Sequence, residues 1–251
     1  MLKRIAVVGD DDNFLNTLRK SVEGKDVQLE AVQASSPLPL GTAGLIVAPE
    51  QAKHAVRLAT AVGEAQKQML SLLADAIDCR EGIPAGSGER IREHASRFAR
   101  VLKLDPGEQL ALEIAAYLRA IGKTRISNDV LLKKSVLDYD EWLTLKQHTT
   151  LGAGLLDQMG MEKVMTDIVR FHQECYDGTG YPEGRHKDEI PYLARALKIC
   201  VTYCAMTSPR HYRARTASHD DALQELRDER GKHFDPTLID AFLEGEVAQP
   251  A

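Results

Sequence analysis

The stretch FHQECYDGTGYPEG, from Phe171 to Gly184, gathers a histidine, carboxylates and three glycines into fourteen residues. Imidazole and carboxylate are both acid–base groups and metal donors, so this is a place where hydrolytic chemistry would be expected. A structural role is equally open. Gly178 and Gly180 permit positive φ, Pro182 fixes φ, and Asp177 can bond the backbone of the turn. The other histidines carry less weight: His94 is expected on a charged helix face, His186 in the polar loop EGRHKDE, and His211, His219 and His233 near turns, each solvated or capping. Cys79, Cys175, Cys200 and Cys204 have neither a disulfide-framework pattern nor paired zinc spacing. Cys200 and Cys204, four apart, read as reduced packing residues.

The elements that must position these residues are of two kinds. In the first fifty, RIAVVG, VQLEAVQA and AGLIVA read as strands and NFLNTLRKSV as a helix, a βαββ-like fragment of an open α/β sheet. From Glu50 to Arg80 an apolar seam of Ala55, Leu58, Val62, Ala65, Met69, Leu72, Ala76 and Cys79 predicts one long helix. Thirty residues would span roughly 45 Å, so part of the seam is expected either to pair with a second copy, as a homodimer, or to pack internally. Beyond Pro84 the pattern predicts helices over Glu89 to Leu102, Pro106 to Ile121, Tyr139 to Gln158, Met161 to Glu174, Pro191 to Met206, Ala217 to Arg230 and Pro236 to Leu243. Asp105 and Asp235 are the expected caps, each followed by a proline, and Tyr139 and Trp142 are the expected packing anchors.

With 251 residues the chain can hold one ordinary domain and a smaller one. Its net charge of −5, from 32 basic and 37 acidic residues, lacks the basic footprint of nucleic-acid binders. No apolar run approaches the roughly 20 residues of a membrane span, and acids follow the first apolar run in MLKRIAVVGDDD. No nucleic-acid or membrane partner and a cytoplasmic location are therefore expected.

AIDCREGIPAGSGERI, AIGKTRISNDVLLKK, LKQHTTLGAGLL, DGTGYPEG, EIPYLARALKICVTYCAMTSPRHYR and FDPTLIDAFL follow one another over roughly residues 70 to 245. In that order they resemble the HD-GYP domain, a helical metal-dependent phosphodiesterase module of the HD superfamily that acts on cyclic di-GMP. The pairing of DGTGYPEG with EIPYLARAL is the specific part. The start of the chain resembles a truncated response-regulator receiver domain. The resemblances imply a mostly α fold: an HD-domain helical bundle (71–245, a degenerate HD-GYP domain) preceded by a small α/β receiver-like fragment (1–50) and a connecting helix (51–70). In the receiver-like part Ala48 stands at the phosphoacceptor position, so no acyl phosphate is expected there. Asp10, Asp11 and Asp12 read as an acidic helix cap.

The family holds its metals with histidines and aspartates, and most of those positions are altered. Ser87, Arg119, Ala120, Gln173 and Val201 stand at ligand positions, as does Ile83 where some members have an acid. His148 and His172 survive, with Glu174 and Asp177 as outer carboxylates. The resemblance therefore implies no metal, no cofactor and no catalytic residue, hence a non-enzyme: a regulatory or adaptor protein in bacterial cyclic di-GMP signalling. Asp177, Gly178, Gly180, Tyr181 and Pro182 would form its protein-docking loop, with signalling proteins such as diguanylate cyclase-type domains as partners. Two alternatives stand beside it. Arg119, Lys123, His148, His172 and Arg213 would line a metal-free pocket for cyclic di-GMP or another phosphate ligand, unless Arg119 merely pairs with Glu174 or Asp177. The other is residual metal-dependent phosphodiesterase activity.

Overall fold

The computed structural model describes residues 3–8, 27–32, 42–47, 65–208, 216–245 and 247–248. The chain divides into two units, Met1–Lys67 and Gln68–Ala251. In the first, β1 (Lys3–Val8), β2 (Val27–Val32) and β3 (Thr42–Val47) pair in parallel in the order β2-β1-β3. All three are short runs rich in aliphatic residues, the composition common in parallel strands. Asp10, Asp11, Asp12, Ala48 and the 51–64 part of the connecting helix lie outside the described residues.

The second unit is helical. Helix α1 (65–79) turns Leu70, Ala74, Ile77 and Asp78 inward. Met69 and Leu72, on the seam expected either to pair with a second copy or to pack internally, are 70% and 68% exposed. The packed face is set by a close approach rather than by average spacing: a Cβ added to Gly88 would meet the Ala74 Cβ at 2.6 Å. There follow α2 (Ser87–Val101), α3 (Pro106–Leu118), a 3-10 turn (Ile121–Arg125), the short α4 (Asn128–Leu131), α5 (Tyr139–Lys146), α6 (His148–Gln158), α7 (Lys163–Phe171), α8 (Tyr192–Thr207), α9 (His219–Asp228) and α10 (Pro236–Glu244).

The expected caps form. The Asp105 carboxylate accepts from the Gly107 and Glu108 amides, Glu108 returns the bond, and Pro106 opens α3; the Asp235 carboxylate accepts from Thr237 and Leu238. A third box, Asp138 with Glu141, opens α5. The helix expected over Tyr139 to Gln158 is two helices, broken at Gln147, whose N–H bonds the Thr144 carbonyl three residues back. Phe98, Leu112, Leu197 and Phe242 are fully buried, and the two phenylalanines meet edge to face at 5.2 Å. Cys200 and Cys204 form no disulfide and are buried, as expected. Tyr139 and Trp142 do not anchor the core: both are exposed. Among the described residues no helix is long and apolar enough to cross a membrane.

Candidate functional site

Several elements converge on one cavity of about 200 Å³, lined among others by Asp78, Arg119, Lys123, His148, His172 and Tyr181. Asp78 comes from the last turn of α1, Arg119 from the end of α3, Lys123 from the 3-10 turn, His148 from the start of α6, and His172 from the cap of α7. Gly122 brings the 3-10 turn against α6 so closely that an added Cβ would lie 1.9 Å from the His148 carbonyl oxygen. Only a residue without a side chain fits there, and its neighbour Lys123 is placed accordingly.

Arg119 is 5% exposed and Asp78 1%, and they form an ion pair at 2.8 Å. The expected pairing of Arg119 with Glu174 or Asp177 is thus corrected. Helix α1 delivers a carboxylate that the sequence reading passed over. The guanidinium also donates to the Ala116 carbonyl at 3.0 Å and stands 3.5 Å from the Ser87 hydroxyl. Lys123 pairs with Glu81 at 2.6 Å, so both cations carry a carboxylate partner. The other oxygen of Asp78, Oδ1, is buried with no hydrogen-bond partner.

Both surviving histidines donate from Nδ1 to a carbonyl three residues back, Leu145 for His148 and Val169 for His172, each at 2.8 Å. A carbonyl can only accept, so the tautomer leaves Nε2 with its lone pair. Burial, reinforced by Lys123 and Arg119, lowers the His148 pKa to about 4. Burial, with His148 and Arg119 as further causes, takes His172 well below its usual value. Near neutral pH both rings are uncharged acceptors, 5.7 Å apart between centroids. The cavity therefore combines cationic donors, a phenol and two uncharged imidazole acceptors, with Asp78 Oδ1 buried and unpartnered.

The glycine-rich loop supplies the phenol. Glu174, fully buried, accepts from the amides of Glu183, Gly184 and Arg185 at 2.8, 3.1 and 3.2 Å, which ties the far end of the loop to the helix-capping turn. Asp177 accepts from the Thr179 amide at 3.0 Å, as expected of a turn aspartate. Gly178 has the expected positive φ of 83°; Gly180 does not, and is needed instead because a Cβ there would come within 2.2 Å of the Cys175 nitrogen. Tyr181 is partly buried and lines the cavity, 6.1 Å from the His148 ring; Pro182 follows it through a cis peptide bond.

Of the positions altered from the family's ligands, Arg119, Ala120, Gln173, Val201 and Ile83 all line this cavity, and Ser87 borders Arg119. Arg213 lies outside the described residues. Among the described residues no group of three or more histidine, cysteine, aspartate or glutamate side chains could hold a metal ion. A guanidinium occupies the centre with its own carboxylate, so these residues do not fit a two-metal centre. His94, expected in solvent, is buried, with Nδ1 2.8 Å from the Val247 carbonyl. Asp78 and Glu81 were missed by the sequence reading. Their signal was an acid set among Ala76, Ile77 and Cys79 in a helix that otherwise packs.

The HD domain family profile matches residues 71–238. The cyclic di-GMP phosphodiesterase response regulator RpfG of Xanthomonas campestris is 37% identical over 188 residues, 74% of this chain and 50% of the relative. The 3'3'-cGAMP-specific phosphodiesterase 2 of Vibrio cholerae is 27% identical over 75% of this chain and 36% of its own length. Thus the chain spans half or less of these relatives. A crystal structure of a cyclic GMP-AMP specific phosphodiesterase of V. cholerae superposes with a TM-score of 0.56 at 20% identity, over 70% of this chain and 47% of that one, a likeness of fold. These relatives correct the expectation, drawn from counting ligands, that the chain is not an enzyme: sequences alike over three quarters of it are named as phosphodiesterases.

Proposed function

We propose a function from one premise, that this chain belongs to the HD domain family: its cavity binds the phosphodiester of a cyclic dinucleotide, the substrate class named for its relatives, and the bond that those relatives are named for cleaving is the one held there. The observation that carries the proposal is the convergence of Arg119, Lys123, Tyr181, His148 and His172 on one small cavity. A phosphodiester is an anion that only accepts hydrogen bonds, so its partners there are the guanidinium, the ammonium and the phenol. The uncharged imidazoles and the unpartnered Asp78 oxygen face the opposite need, a donor such as a hydroxyl or water.

Calorimetric titration of the whole chain with cyclic di-GMP and with 3'3'-cGAMP tests this, with chromatography of the same samples, with and without added manganese, to read hydrolysis. Saturable binding of at least one dinucleotide is expected. Lys123→Ala should weaken it about tenfold or more, as loss of a charged hydrogen bond implies. Neither binding nor turnover with either dinucleotide overturns the proposal.

A further inference from the structure

The cavity of about 200 Å³ can take a phosphodiester but not a whole dinucleotide, because pockets for such ligands run to roughly 300–1,000 Å³. A second cavity of about 730 Å³ shares Lys123, Trp142 and Leu145 with it. Trp142 stands in the wall common to both and is 43% exposed, unusual for a side chain whose apolar area normally seeks cover. The rest of the larger cavity has aliphatic lining from Val130, Leu131, Val136 and Leu137 and polar lining from Glu81, Ser135, Lys133 and Lys134. Lys133 is paired with Glu141, whereas Lys134 has no ion-pair partner among the described residues. Lys146, 5.5 Å from the Trp142 ring centroid and 5.3 Å from that of Tyr181, sets a further cation beside the aromatic pair.

We propose that this outer cavity is the base subsite of the same ligand, in which a purine of the dinucleotide stacks on the Trp142 indole while its phosphodiester lies in the inner cavity. The inference rests on the function proposed above. An aromatic face, aliphatic lining and an ammonium with no ion-pair partner among the described residues match a planar base linked through a sugar to an anion; an apolar peptide segment would leave Lys134 with nothing to pair. The wall shared through Lys123, Trp142 and Leu145 suits that connectivity, in which the ribose joins the base to the phosphodiester.

Trp142 is the only tryptophan in the sequence, so its emission reports this wall alone. The whole chain is titrated with cyclic di-GMP and, separately, with inorganic phosphate, following both heat and Trp142 emission. Stacking should quench the emission with the same midpoint as the heat, and phosphate should leave it unchanged. Trp142→Leu should weaken binding about 5- to 150-fold, the range for loss of one stacked base, and Trp142→Phe should restore part of it. Heat without quenching, together with an unaltered affinity for Trp142→Leu, overturns the base subsite and leaves the phosphodiester site standing. Quenching by phosphate alone also overturns it, because the indole would then answer to the inner cavity. Absence of heat for the dinucleotide removes both. Because the emission experiment uses the unmodified chain, a folding defect in either variant does not decide the outcome.

Discussion

The Arg119–Asp78 pair shows how much one residue's role depends on a partner that is distant in sequence. Two charges at 2.8 Å, both buried, hold each other in place, and removing one leaves the other stranded. Asp78→Ala should therefore destabilise the helical unit by about 3–5 kcal/mol in urea denaturation, while the double change Asp78→Leu with Arg119→Met should cost much less. Glu81 competes with any anion for Lys123, so Glu81→Gln should tighten dinucleotide binding several-fold in the calorimeter. The histidines set the pH response. His94, His148 and His172 all have lowered pKa values in the fold, with burial the largest cause. An unfolded chain takes up these protons from about pH 6.5 downward and the folded one resists, so stability present at pH 7 is lost as pH falls from 6.5 toward 4. His148 alone contributes on the order of 3 kcal/mol to that loss. Urea midpoints at pH 7.0, 6.0 and 5.0 should fall in that order, and His148→Gln should flatten the slope.

At the scale of elements, two backbone contacts position the site. Gly122 lets the 3-10 turn meet α6 at the His148 carbonyl, and Gly122→Ala should force them apart, destabilising by about 1–3 kcal/mol or more and weakening ligand binding with it. The Glu174 carboxylate gathers three loop amides, so Glu174→Ala should release the glycine-rich loop, seen as faster hydrogen exchange at 183–185, and draw Tyr181 out of the cavity. The caps at Asp105 and Asp235 were legible in sequence because capping is local: an aspartate before a proline completes the device within one turn. The break at Gln147 was not, since no proline or glycine marks it and only the hydrogen bonds turn.

In the molecule as a whole, the helical unit carries its own core, from Phe98 and Leu112 to Leu197 and Phe242. A chain of residues 65–251 should thus unfold in one cooperative thermal transition and keep its dinucleotide affinity, which calorimetry reads directly. The sequence by itself determined that the chain is mostly helical after three short strands, where its main helices lie, and which positions along it resemble a phosphodiesterase domain. These follow from periodicity, caps and motifs, whose physics acts within a few turns. It misjudged His94 and Trp142, because burial depends on which distant surface arrives, and no local pattern contains that. Tertiary structure alone decided that Asp78 meets Arg119, that Glu81 meets Lys123, and that Tyr181 turns inward beside His148. Each of these joins separate elements across a cavity, where a buried charge or ring is settled by the group that packing sets opposite it.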